Sequence, residues 1–162
     1  MLPNPFVGTW RLVSAETIAA TGEVIHPFGD AATGYLIYSE DGHMATVIMQ
    51  ANRSNFATAD LRAGSLEEKV AAFDTYASYF GKYEVRDHRV IHRIEASLFP
   101  NWTGTDQERS FEFAGDHPLF AYARHNSGRS GSNGASDLAA LDRRCSGCLR
   151  GLPLTAKRQK RG

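Results

Sequence analysis

Apolar residues recur at every second position through most of residues 6–114, and that period fixes what the chain can become. A period of two sends successive side chains to opposite faces of a strand, so each segment has a dry side and a wet one. The pattern opens on Gly8-Thr9-Trp10. A glycine lets the chain bend tightly there, and the large flat indole beside it suits the plugging of one end of a closed sheet. The chain is therefore expected to be mainly β, an antiparallel meandering barrel built around an interior.

Residues 6–18 read as the first strand, and 22–26 as its short return across Thr21-Gly22. Residues 33–39 and 43–50 form a hairpin around Glu40-Asp41-Gly42, an Asp-Gly pair that suits a positive-φ turn. Then the period changes. Ser65-Leu66-Glu67-Glu68 is a capping box, and Leu66, Val70, Phe73, Ala77 and Phe80 follow at helical spacing. The spacing predicts one amphipathic helix over 65–79, lying across a mouth of the barrel. Strands resume at 80–87, 88–98 and 106–114, with Asp87-His88 as the first turn and residues 100–105 as the second loop.

Alternation also says which side chains face inward. In 88–98, Val90, Ile94, Ala96 and Leu98 share a face with His92, while Ile91, Arg93, Glu95 and Ser97 take the wet one. In 106–114, Phe111 and Phe113 share a face with Arg109 and Gln107. Tyr79, Tyr83 and Val85 align in the preceding strand, and the first strand puts Trp10, Leu12, Ser14 and Glu16 together. The interior is thus apolar with a few polar groups: His92, Arg109, Gln107, Tyr83 and Tyr79. A buried guanidinium is costly unless it is paired or hydrogen-bonded. Arg109 therefore needs a partner inside the barrel, and a ligand oxygen is one candidate. His92 is either a core histidine satisfied by a neighbouring Tyr or Gln, or a proton carrier.

Other chemistries find little support. His88 and His92 are four residues apart, which on a strand spans about 13 Å, too far for one ion. His43 follows a turn glycine and reaches toward a mouth, but no chelating neighbour is evident in the sequence. No metal site is expected. The chain has no G-x-S-x-G, P-loop or G-x-G-x-x-G, so a serine elbow and nucleotide binding lack a basis. No cofactor is expected either; haem on His92 is the weaker reading, because a single inward histidine is not distinctive.

The formal net charge of zero conceals a split. Residues 1–123 carry 9 Lys and Arg against 16 Asp and Glu, a net of −7, whereas residues 124–162 carry 9 against 2, a net of +7. From about Pro118 the alternation is lost, and the text becomes rich in Arg, Gly, Ser, Ala and Leu. Residues 1–117 are read as the barrel domain and 118–162 as an irregular basic tail, disordered or translated out of frame. Cys145 and Cys148 form a lone C-x-x-C within that tail. Closing strands are expected to be missing, which leaves an open edge on the first strand through which a homo-dimer can form. Neither a signal peptide nor an apolar span of membrane length is visible, so a cytoplasmic protein with no membrane or nucleic-acid partner is expected.

Several segments carry a resemblance in order and spacing: Gly8-Thr9-Trp10-Arg11-Leu12-Val13-Ser14-Ala15-Glu16, Pro27-Phe28-Gly29-Asp30-Ala31, Gly34-Tyr35-Leu36-Ile37-Tyr38-Ser39 and Asp41-Gly42-His43-Met44. Tyr79-Phe80-Gly81-Lys82-Tyr83 and Pro100-Asn101-Trp102-Thr103-Gly104 follow, with Gln107 and Arg109. Over about residues 5–117 the chain resembles the bacterial and fungal lipocalin-like domain family of the calycin group. The resemblance implies a barrel around a cavity, with Gly8 and Trp10 as structural residues and with stacking on the Trp10 indole as the structural alternative for Arg109, and it implies no particular reaction. Two functions fit it. One is binding of a small hydrophobic molecule with a polar end, with Tyr83, His92, Gln107, Arg109 and Phe111 lining the pocket. The other is an isomerase or cyclase acting on a hydrophobic carbonyl-bearing substrate, with His92 moving a proton and Arg109 stabilising an oxyanion.

Overall fold

The computed structural model describes residues 4–19, 21–114, 117–123 and 136–143. The described strands are β1 (Gly8–Ile18), β2 (Val24–Ile25), β3 (Thr33–Tyr38), β4 (His43–Met49), β5 (Tyr76–Arg86), β6 (Arg89–Ser97), β7 (Asp106–Ala114), β8 (His117–Ala123) and β9 (Ser136–Arg143). One helix, α1 (Leu66–Asp74), joins β4 to β5, and a turn of 3-10 helix occupies Pro100–Trp102. From β3 onward every strand pairs antiparallel with the next. β3 also pairs with β1, whose far end holds the short β2.

As the alternation predicts, the seven strands up to Ala114 make an open antiparallel sheet with the helix beside one end. The expectation that nothing follows to close it is corrected. β8 continues the meander from β7, and β9 runs back along β1 from Trp10↔Arg143 to Ile18↔Ser136. The β1 edge invoked for a homo-dimer is therefore occupied by this chain's own backbone, and Leu141, opposite Leu12, is buried in the core. Residues 124–135 and 144–162 lie outside the described residues. Cys145, Cys148 and most of the stretch read as out of frame go with them.

Two bulges move the inner face. Between Leu12 and Ser14 the pairing with β9 skips a residue, so Val13 is extra and the parity flips. Trp10 and Leu12 are buried before the bulge, and Ala15 and Thr17 after it, rather than the Ser14 and Glu16 that strict alternation selects. On β6, Gly81 pairs with Ile94 but Phe80 pairs with Ala96, leaving Glu95 extra. Beyond it Ala96 lies opposite the exposed Phe80, and Ser97 lies opposite the buried Tyr79, the reverse of the expected assignment. Gly81 permits this crossing. A Cβ there would stand 1.9 Å from the Arg93 carbonyl oxygen.

Ile91 is a second correction, because it is buried on the face expected to be wet. Its cross-strand neighbours are Glu84 and Glu108. Arg93 reaches Glu84 at 3.0 Å and Arg89 reaches Glu108 at 2.9 Å, so long side chains cross over Ile91 and cover it.

The helix is shorter than its spacing suggests. The capping box forms as predicted, with Ser65 accepting from the Glu68 amide and Glu68 returning to the Ser65 amide. The helix stops at Asp74, and Ala77 and Phe80 belong to β5. Arg53, from the loop after β4, ends it: Nη2 donates to the Ala72 carbonyl at 2.8 Å and Nε to Thr75 Oγ1 at 3.1 Å. A cation suits this end, where carbonyls are unsatisfied and the helix dipole is negative. No residue of α1 is buried, and Leu66, Val70 and Phe73 stand exposed. Among the described residues no helix is long and apolar enough to cross a membrane.

Candidate functional site

The two ends of the barrel differ. At the end where β1 begins, Phe6 fills the interior, 1% exposed, with its ring edge-on to Phe111 at 4.5 Å and to Tyr38 at 5.6 Å. The Trp10 indole, equally buried, donates from Nε1 to the Phe6 carbonyl at 2.7 Å. Gly8, two residues before it, adopts φ 140°, a region that residues with a Cβ avoid. Tyr83 seals the same end. Its hydroxyl donates to the Ser39 carbonyl and accepts from Asn4 Nδ2, both at 3.1 Å. The opposite end, beside α1, is rimmed by half-buried Phe28, Ala32, Ile48 and Trp102, drawn from the β2–β3 connection, the end of β4 and the Pro100–Trp102 turn. We take the Phe6 end as the floor and the Trp102 end as the mouth.

A polar layer crosses the apolar interior between them. His92 is 1% exposed and both ring nitrogens are engaged, Nε2 with the Tyr38 hydroxyl at 2.7 Å and Nδ1 with the Tyr79 hydroxyl at 3.0 Å. Arg109, 5% exposed, donates from Nη1 to the Glu108 carbonyl at 2.9 Å, and Nη1 and Nη2 both stand 3.4 Å from Gln107 Oε1. Its charge also acts on the Tyr79 hydroxyl. Gln107 Nε2 donates to Thr105 Oγ1 at 3.2 Å, and Thr105 donates to the Trp102 carbonyl at 2.8 Å.

Donor counting sets the direction of this relay. A guanidinium is a cation that only donates, so the Tyr79 hydroxyl turns its lone pairs toward Arg109 and gives its own proton to His92 Nδ1. The remaining imidazole proton then sits on Nε2 and points to Tyr38. We assign this tautomer from the network. Burial, helped by the Arg109 charge, pulls the His92 pKa down to about 3. Burial pushes the Tyr79 phenol up, and Arg109 opposes that shift. Both groups are therefore neutral at ordinary pH.

Of the residues read as pocket lining, His92, Arg109 and Gln107 come together in this layer. Phe111 packs on Phe6 at the floor, and Tyr83 is turned to the Ser39 carbonyl while its ring tilts against Tyr38 at 4.5 Å. Sequence reasoning passed over Tyr38, Phe6 and Trp102. Tyr38 was within reach of it, because Leu36 and Tyr38 alternate inward along β3. Phe6 lies before β1, and nothing periodic marks it.

His43 faces solvent and is bound to a neighbour the sequence reading overlooked. Its Nδ1 is 3.1 Å from Asp41 Oδ1. Hydrogen bonds from Ser39 and His43 hold Asp41 down at about 2. Among the described residues no three His, Cys, Asp or Glu side chains are grouped to hold a metal ion.

A family model described as a lipocalin-like domain matches residues 7–141. The chain is 33% identical over 91 residues to the 4'-hydroxy-3'-methoxypropiophenone carrier protein ppsC of Aspergillus oryzae, covering 47% of this chain and 82% of that protein. Among solved structures, a lipocalin-like protein from Bacteroides uniformis aligns over 85% of this chain and 98% of its own, at 10% identity and a TM-score of 0.44. An uncharacterized protein from Bacteroides eggerthii aligns over 83% and 98%, at 14% identity and a TM-score of 0.41.

Proposed function

Because the chain belongs to the lipocalin-like domain family, whose barrel is a calyx able to hold a small hydrophobic molecule, we propose that it is a binding protein for an apolar ligand with one polar end. The ligand enters past Trp102 and lays its polar end on the His92–Arg109 layer. One observation carries this reading: a buried cation and a buried neutral imidazole sit together inside an otherwise apolar barrel. Such convergent polar groups in an apolar pocket fix a ligand's orientation. The name of the Aspergillus relative supplies a ligand of matching type, an aromatic ketone.

Binding is favoured over isomerisation or cyclisation by the state of His92. A general base works best with a pKa near the working pH, and this imidazole is held at about 3 with both nitrogens bound to tyrosines. The test is a titration with propiophenone by calorimetry, on the parent, His92→Ala and Arg109→Ala. We expect saturable binding by the parent, at least ten-fold weaker binding by Arg109→Ala, and recovery of propiophenone unchanged after incubation. Turnover that disappears in His92→Ala while binding persists would instead establish the enzyme.

A further inference from the structure

One contact in the polar layer is looser than those around it. Gln107 lies opposite His92, half-buried, on the inner face of β7. Its amide oxygen stands 3.4 Å from both terminal nitrogens of Arg109. Charge-assisted hydrogen bonds of good geometry are about 2.7–2.9 Å long. The same Nη1 meets that standard toward the Glu108 carbonyl, at 2.9 Å. The guanidinium is thus held more closely by the Glu108 carbonyl than by the amide oxygen, which rests at longer range across its fork. The other end of the amide is tied to Thr105, and through it to the Trp102 carbonyl at the mouth.

Resting on the calyx reading above, we infer that Gln107 is an internal stand-in for the ligand: its amide oxygen occupies the place of a ligand carbonyl, which displaces it. The amide then turns about its Thr105 anchor, and the incoming oxygen takes the two-nitrogen fork at shorter range. This selects the chemistry of the polar end. A guanidinium offers donors and no acceptor, so a carbonyl oxygen with two in-plane lone pairs satisfies it, and an ammonium group cannot. The calyx is accordingly a site for carbonyl compounds, and Gln107 sets how much binding energy is spent on opening it.

The experiment compares propiophenone with propylbenzene, the same skeleton without the oxygen, on the parent, Gln107→Ala, Gln107→Met and Gln107→Glu. Removing the resident oxygen should tighten propiophenone about five-fold in the Ala and Met variants and leave propylbenzene within about two-fold. Met keeps the length of the side chain, so it separates loss of the oxygen from loss of volume. A carboxylate at this position pairs with Arg109 and should weaken propiophenone at least ten-fold. Weaker propiophenone in both Ala and Met variants, with propylbenzene unchanged, makes Gln107 a direct ligand contact and overturns the inference alone. Equal changes for both probes also overturn it. If neither probe binds the parent, the calyx reading fails and takes this inference with it.

Discussion

His92 holds two hydrogen bonds and has no place for a second proton. In the unfolded chain an imidazole titrates near 6.5, whereas in the barrel it does so at about 3. Between those values the unfolded state binds more protons, so stability is full above 6.5 and falls as the pH drops toward 3. Tyr38, Tyr79 and Arg109 act on the ring, and of these only Arg109 carries a charge at these pH values. We expect about 2 kcal/mol to be lost between pH 7 and pH 5, a range in which carboxylates barely titrate. Thermal melting of the parent against His92→Gln checks this, because the amide keeps a donor and an acceptor but cannot take a proton. An equally steep pH dependence in both proteins would place the effect elsewhere. Tyr38→Phe and Tyr79→Phe each strip a partner from a buried nitrogen and should each cost about 1–3 kcal/mol in urea unfolding.

Elements obey the sequence period until a bulge resets it. Alternation located β1, β6 and β7, and along β7 it placed Gln107, Arg109 and Phe111 correctly on one face. It failed after Val13 and after Glu95, because one extra residue turns every later side chain over and leaves no mark in composition. The helix shows the opposite error. Its start was legible because a capping box is a local device, but its end is set by Arg53 from a distant loop. Ala77 and Phe80 merely continued the spacing. Gly81 is the point where one of these irregularities is tested most sharply. Gly81→Ala must push the Arg93 backbone aside, and we expect a loss of about 3 kcal/mol or more, read as a lower unfolding midpoint.

At the scale of the whole molecule, closure is the least legible property. Pro118-Leu119-Phe120-Ala121-Tyr122-Ala123 is a short apolar run without alternation, set beside low-complexity text, and β9 follows that text. Only the pairing with β1 identifies the closing strand, and pairing partners far apart in sequence cannot be read from period alone. Leu141 tests the closure directly. Buried opposite Leu12, its truncation to Ala should cost about 2–4 kcal/mol, measured by denaturant unfolding. A loss below about 0.5 kcal/mol would mean that β9 does not seal the core in solution.

If the barrel is the calyx proposed above, the uncovered helix makes capture and release separable quantities. With no buried residue of its own, α1 is tied to the loop after β4 by the grip of Arg53 on the Ala72 carbonyl and Thr75 and by the Ala57 amide donating to Glu68. On the binding proposal above, the energy that orients a guest would lie deep in the barrel, while the frequency of entry would depend on a clasp that never touches the guest. Releasing that clasp with Arg53→Ala should raise the on-rate and off-rate of propiophenone together, by about the same factor, in stopped-flow measurements. Affinity would stay where it was, and the guest would simply spend less time inside.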